Sequence, residues 1–154
     1  MLEFPYLDEP IVGPAPPSLP TGGSLRWRPF IPVTVIGPSG RHFSPRALLD
    51  TGADDSVFPL AIARRLGVQL LSGPQYGVRW RGRQYAMQFG SVELHVTDGQ
   101  SNWRWPAVVG FSAAPIRYPI LGQAGCLCYI DATFFGDERT IRLATNKAYP
   151  GSTA

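Results

Sequence analysis

One aspartate in this chain has a setting that suits acid–base chemistry. Asp50 follows the apolar pair Leu48-Leu49 and precedes Thr51-Gly52. The apolar pair indicates a buried strand that ends at the aspartate, and the glycine allows close approaches that a side chain would block. The threonine hydroxyl can hydrogen-bond to a facing copy of the same loop. A carboxylate held in this way can act as a general acid or a general base.

The other candidate groups form no usual catalytic or metal-binding pattern. No serine or cysteine has a base and an orienting group that would make it a nucleophile. Because the histidine and cysteine spacing matches no common zinc pattern, no metal and no other cofactor is expected, and a zinc site is the weaker alternative. We expect His95 at the surface and both cysteines in apolar packing. The four residues are His42, His95, Cys126 and Cys128.

The sequence predicts strands before Asp50 and a short helix after it. Residues 27–36 alternate as a strand, the turn 37–40 follows, and a returning strand passes Phe43 and ends at Leu49. Phe58-Pro59 then opens a short helix with Leu60, Ala63 and Leu66 on one face. Gly67 suits the position after its last residue.

The second half of the chain predicts further strands and turns. A break is expected at Ser72-Gly73-Pro74, a hairpin around Arg81-Gly82-Arg83, and a compact helical turn over 123–127. The predicted strands are 76–80, 84–89, 91–96, 103–109, 129–135 and 139–143.

Composition favours a single, mostly β domain. The 154 residues include 17 glycines and 16 prolines, and helical periodicity is scarce. Residues 1–24 are a proline-rich arm that cannot form a helix or an inner strand, so it either wraps a partner subunit or hangs free. The folded domain is expected over 25–147, with a flexible tail over 148–154.

The net charge and the hydropathy of the chain exclude few classes of protein function. The net charge of +3 and the pI of about 9.1 fit scattered surface arginines better than a nucleic-acid surface. No apolar run is long enough to span a membrane, and the first residues lack the regions of a signal peptide. Two cysteines imply no disulfide framework. A cytoplasmic protein without membrane contact is expected.

Two segments together resemble the retropepsins, the single-domain aspartic proteases of retroviruses and their cellular and bacterial relatives. Residues 48–55, Leu-Leu-Asp-Thr-Gly-Ala-Asp-Asp, are similar to the viral active-site loop almost residue for residue. Ile120-Leu121-Gly122 resembles the second signature, in which two apolar residues and a glycine pack under that loop. The resemblance covers about 25–143 and is stronger for the cellular and bacterial branch. It implies an all-β, single-lobe acid-protease barrel with one or two short helices, working as a homodimer.

The resemblance also implies an activity. Asp50 from each of two subunits would form a dyad that activates water to hydrolyse a peptide bond, so the expected partners are a second copy and a peptide or protein substrate. Thr51, Gly52, Ala53 and Asp54 would support the loop. The hairpin tip, with Trp80, Arg81 and Gly82, stands where the family has its substrate-covering flap.

Three departures from the viral pattern stand out. Gln123 takes the place of an arginine that pairs, in viral members, with the aspartate matching Asp54. Arg28 loosely resembles an N-terminal arginine that reaches the same aspartate across the dimer, so Asp54 could find its partner there. The flap lacks a glycine-rich tip and is bulkier and more basic.

Two other functions fit parts of the sequence. A dimeric peptide-binding module of the same fold with little turnover is the first alternative, although binding alone does not require a paired carboxylate. The second is single-stranded nucleic-acid binding through Trp103-Arg104-Trp105 and the arginines of the hairpin. An amphipathic strand with one aromatic face explains that tripeptide better, so nucleic acid is not expected as a partner.

Overall fold

The computed structural model describes residues 1–20, 23–71 and 76–154, and this part of the chain is mostly β. The predicted break at Ser72-Gly73-Pro74 and Gly22 of the predicted arm lie outside the described residues. The strands are β1 (Leu2–Pro5), β2 (Leu7–Pro10), β3 (Leu25–Arg28), β4 (Phe30–Gly37), β5 (Gly40–Leu49), β6 (Val57–Pro59), β7 (Tyr76–Trp80), β8 (Arg83–Thr97), β9 (Asn102–Ser112), β10 (Ile120–Leu121), β11 (Ile130–Phe135), β12 (Thr140–Thr145) and β13 (Ser152–Thr153).

Eight strands form the main sheet, in the order β13-β9-β6-β10-β5-β4-β8-β7. Because β9 also pairs with β8, six of these strands form a partly closed ring. The core lies inside it and includes the fully buried Trp105, Phe30, Phe58 and Phe111. The all-β prediction is confirmed.

Alternation along the strands decides which side chains fill this core. In β9, Trp103, Trp105, Ala107 and Val109 are buried, while the residues between them are exposed. Side chains two apart share one face of a strand, so this pattern gives β9 one apolar face. The tripeptide around Arg104 is therefore an amphipathic strand with its aromatic face in the core.

Two short helices accompany the strands in the described part of the chain. The α-helix α1 (Leu60–Leu66) buries Ile62, Ala63 and Leu66, and it ends at Gly67 in the left-handed conformation (φ +64°). The second is a 3₁₀-helix at Leu127–Tyr129. Neither of them, within the described residues, has the length and apolar character needed to cross a membrane.

The predicted hairpins are confirmed, whereas the predicted helical turn is displaced. Strands pair in antiparallel fashion from β4 to β5, from β7 to β8 and from β11 to β12. The turn predicted over 123–127 becomes helical only from Leu127. The reason is that Gly125 has a positive φ (+84°) and Cys126 lies outside the helical region (φ −140°, ψ −77°), so a helix cannot run through these two residues.

Both termini pair with the body of the chain. Strand β1 is the edge of a three-stranded sheet with β12 and β11, and it buries Leu2 and Phe4 in the core. The beginning of the predicted arm therefore does not hang free. Strand β13 pairs with β9, and the Tyr149 ring packs about 6 Å from the rings of Trp103 and Trp105. The predicted flexible tail over 148–154 is thus held on the sheet edge.

Candidate active site

Asp50 lies in a tight loop directly after the buried end of β5. Its N–H donates to the carbonyl of Leu121 (3.0 Å), and its carbonyl accepts from the N–H of Ala53 (3.2 Å). The N–H of Gly52 donates to Oδ1 of Asp50 (2.9 Å). The carboxylate is therefore oriented by the glycine of its own loop. Asp50 is half-buried, while Thr51 and Gly52 are exposed.

The second sequence segment lies next to this loop. Strand β10 runs between β5 and β6, with Ile120 in register with Leu48 on one side and with Val57 on the other. Leu121, in register with Leu49, is fully buried. Although about seventy residues separate them in the sequence, the two segments form neighbouring strands.

Gly122 is in close contact with the loop. A side chain here is excluded, since a Cβ atom would collide with the carbonyl oxygen of Asp55 and lie 2.6 Å from that of Ala53. Two backbone bonds continue the contact, from Gln123 N–H to the Ala53 carbonyl and from Ala124 N–H to the Asp54 carbonyl, both 2.9 Å. The loop is therefore fixed along its length by the segment after β10.

Ser56 is a buried polar residue that the sequence analysis missed. Its hydroxyl donates to the carbonyl of Ala124 (2.8 Å) and accepts from the N–H of Gly122 (3.1 Å). It is fully buried, so these two bonds satisfy backbone groups that water does not reach. Its position between Asp55 and the apolar Val57 was the only signal in the sequence.

Gln123 takes a structural role in the loop. Its side-chain amide donates to the carbonyl of Thr51 (3.0 Å). Arg28, the suggested partner for Asp54, is bound within its own chain, where Nη1 donates to Glu9 (3.0 Å) and to the Tyr118 hydroxyl (2.8 Å). None of the ion pairs among the described residues involves Asp54, which is exposed.

The acidic residues after the loop differ in their surroundings. Burial raises the pKa of Asp55 above its ordinary value, and the charge of neighbouring Asp54 raises it further. Both effects disfavour the ionised form of Asp55. The outer side of the loop, with Asp54 and Thr51, remains in contact with solvent.

The predicted flap is a hairpin with a two-residue turn. Arg81 (φ +48°) and Gly82 (φ +77°) both have positive φ, as a type I′ turn requires. Trp80 is half-buried and is not part of the hydrophobic core. Trp80, Arg81 and Arg28 are among the residues that line a cleft of about 350 Å³.

The remaining candidate residues do not gather at this loop. Within the described residues, no three His, Cys, Asp or Glu side chains are grouped to hold a metal ion. The ring of His95 contacts Asn102, and that of His42 contacts Arg65. Cys126 is buried, as expected, whereas Cys128 is exposed and not in apolar packing.

The nucleic-acid alternative loses two of its stacking groups. Trp103 and Trp105 are buried in the core, and the indole N–H of Trp105 donates to the carbonyl of Gly125 (2.8 Å). A base can stack only on an accessible ring face. These two tryptophans are therefore part of the core and not of a binding surface.

A scan of the chain against protein-family models matches no family, and a search of curated proteins finds no match.

Proposed function

We propose that this chain is an aspartic endopeptidase with a retropepsin-like barrel that acts as a homodimer. The observation that carries the proposal is the orientation of Asp50, whose Oδ1 accepts a 2.9 Å hydrogen bond from the N–H of Gly52 in an otherwise solvent-facing turn. Because Thr51 and Gly52 are exposed, the same turn of a second copy could approach it. The dyad would then consist of one Asp50 from each subunit.

Two such carboxylates would share one proton. Like charges at hydrogen-bond distance cannot both ionise easily, so the pair titrates as a coupled unit. The ionised member accepts a proton from a bound water, and the protonated member donates to the scissile carbonyl and then assists the departing amine. This chemistry needs no metal and no covalent intermediate.

The support for the loop fits this task. A general base must be held in place by its surroundings before substrate arrives. Here the backbone next to Asp50 is bonded to Leu121, and the rest of the loop is bonded to Gln123 and Ala124. Gly122 lies too close to Ala53 and Asp55 to admit a side chain. Such packing restricts the loop to one conformation.

The hairpin of β7 and β8 would act as the flap. Its tip lines a cleft together with Arg28, which lies two residues before the β4 residue in register with Leu48. A peptide bound in extended form could add to exposed strand edges through backbone hydrogen bonds, and its alternate side chains would enter pockets. Free cysteines are consistent with the cytoplasm as the proposed compartment.

The first test compares purified wild-type protein with Asp50→Asn on a diverse peptide library between about pH 4 and pH 8. We expect cleavage by the wild type and none by the variant. Asp137→Asn is the matched control, because Asp137 is an exposed aspartate in the β11–β12 turn. Cleavage that persists in Asp50→Asn would refute the mechanism.

The second test measures the oligomeric state by sedimentation. A protein that stays monomeric at concentrations at which it cleaves would overturn the dimer. A dimer that binds peptides but cleaves none at any pH would favour the alternative, a dimeric peptide-binding module of the same fold.

A further inference from the structure

A cleft beside the hairpin tip is lined by arginines. Its volume is about 350 Å³, and its walls are the segment from Glu9 to Val12, strand β3, the hairpin tip and the segment before β10. Four arginines and one glutamate are among its lining residues. The charged lining residues are Arg26, Arg28, Arg81, Arg117 and Glu9.

This cleft is linked to the strand that carries Asp50. The carbonyl of Pro29, the residue after Arg28, accepts from the N–H of Leu49 (3.0 Å). The carbonyl of Pro119, the residue after Tyr118, accepts from the N–H of Leu48 (2.9 Å). Residues next to the cleft lining are therefore hydrogen-bonded to the end of β5, directly before Asp50.

One carboxylate of the chain already shows what the cleft binds. Glu9, on the extended strand β2, has a side chain that is only 17% exposed. Its Oε2 lies 3.0 Å from Nη1 of Arg28, and its Oε1 lies 3.7 Å from Nη1 of Arg117. Among the described residues, Arg26 and Arg81 form no ion pair. Within the described part of the chain they also take part in no side-chain hydrogen bond, so we expect their donors to be open to a second carboxylate.

Arg81 occupies a position that its residue type does not favour. It has φ +48° in a two-residue hairpin turn, where glycine, asparagine and aspartate are preferred. Residues with a branched or long side chain rarely adopt this conformation. Arg139 in the β11–β12 turn has a similar conformation (φ +52°), so it is the place of Arg81 in the cleft lining that distinguishes it.

We propose that this arginine cleft binds an acidic side chain of the peptide substrate, so that cleavage sites carry a glutamate or aspartate at a fixed distance from the scissile bond. The inference rests on the proposed peptidase function. Guanidinium groups match carboxylates with paired N–H donors, and both Arg26 and Arg81 line the cleft. The acidic residue would give the enzyme sequence preference at one subsite.

A peptide fits this cleft better than a nucleic acid. Single-stranded nucleic acids bind to successive aromatic platforms along a basic groove. Here Tyr118 is already in contact with Phe30 and Arg28, which leaves Trp80 as the free aromatic ring of the lining.

The test uses two pools of otherwise identical decapeptides, one with glutamate and one with glutamine at a fixed position. We expect wild-type protein to cleave the glutamate pool with a kcat/KM at least about tenfold higher, and Arg26→Gln and Arg81→Gln to reduce this ratio. Arg41→Gln is the control, since Arg41 is an exposed arginine at the β4–β5 turn and is not part of the cleft lining. It should leave the ratio unchanged.

A binding measurement tests the recognition of an acidic side chain independently of peptide cleavage. Titration of Asp50→Asn protein with each pool, followed by tryptophan fluorescence, should show tighter binding of the glutamate pool, and Arg26→Gln should remove the difference. If no peptide is cleaved but the glutamate pool still binds more tightly, the proposed binding of an acidic side chain is supported and the proposed peptidase activity is contradicted. Cleavage of both pools at equal rates would contradict the proposed binding of an acidic side chain but not the peptidase activity. Displacement of the glutamate pool by oligo-dT at equal concentration would contradict the proposed preference for an acidic side chain and would favour nucleic acid as the ligand of the cleft.

Discussion

The side-chain amide of Gln123 donates a 3.0 Å hydrogen bond to the backbone carbonyl of Thr51, across 72 residues of sequence. The backbone N–H of the same residue donates to the carbonyl of Ala53 (2.9 Å). One residue thus holds the Asp50 loop at two points. In this position a neutral amide supports the loop without adding a charge beside Asp50.

Replacing Gln123 by alanine removes only the side-chain contact. A hydrogen bond of this kind contributes about 0.5 to 1.5 kcal/mol, so we expect kcat/KM for peptides to fall between about twofold and tenfold. The free energy of unfolding should fall by no more than about 1.5 kcal/mol, because the same hydrogen bond is lost from the folded state. The matched control is Gln100→Ala, an exposed glutamine in the β8–β9 turn. Equal kcat/KM for the two variants would show that the amide does not position the loop.

Gly122 cannot accept a methyl group without movement of the loop. In Gly122→Ala the new Cβ would meet the carbonyl oxygens of Asp55 and Ala53, which belong to a backbone that is itself hydrogen-bonded. Overpacking of this kind costs about 1 to 3 kcal/mol, so we expect a loss of that size in the free energy of unfolding.

The control for this substitution is Gly136→Ala. A Cβ at Gly136 has no atom within 4 Å, and its φ lies outside the positive region. We therefore expect a change within about 0.5 kcal/mol. Urea unfolding of both variants gives the comparison, and an equal loss in the two would mean that Gly122 is not closely packed against the loop.

Features that depend on nearby residues could be predicted from the sequence. The β7–β8 hairpin follows from Arg81-Gly82 between alternating strands, and the end of α1 follows from Gly67, because turn and cap chemistry acts over a few residues. The strand that leads to Asp50 is equally local, since its apolar residues are consecutive. These elements lie where the sequence placed them.

Features that depend on distant pairing could not be predicted. The sequence of β1 gives no indication that it pairs with β12, and Ser152–Thr153 is too short and polar to indicate a strand on β9. The contact of Arg28 with Glu9 depends on the antiparallel register of β2 and β3. The proline content of residues 1–24 predicted an arm separate from the folded domain, but edge strands such as β1 tolerate proline.

The two cysteines should differ in reactivity. Burial raises the pKa of the Cys126 thiol to about 12, whereas Cys128 is exposed. Because the thiolate is the reactive form, we expect iodoacetamide to modify Cys128 alone in the folded protein and both residues in urea. Intact-mass measurement distinguishes one adduct from two. Rapid modification of Cys126 under native conditions would show that the core around it is open.

Asp55 and Asp98 should affect the pH dependence of stability in opposite directions. The pKa of Asp55 is raised from 3.8, first by burial and then by the charge of Asp54. As the pH rises through 3.8 towards the folded value, the unfolded chain loses its proton first, so folding becomes less favourable. Above the folded pKa, the unfavourable contribution of Asp55 to the free energy of folding has its full size. Asp55→Asn should therefore stabilise the protein near about pH 7 and have little effect near about pH 3.

The pKa of Asp98 is lowered from 3.8, mainly because its carboxylate accepts a hydrogen bond from the N–H of Ser101. This group contributes stability that is present above 3.8 and is lost as the pH falls through the folded pKa. Asp98→Asn should therefore destabilise the protein near about pH 7, and the difference from wild type should vanish at the acid end. Thermal midpoints of wild type and both variants across this pH range give the test. Shifts of the same sign at neutral pH would contradict the burial of Asp55 beside the active loop.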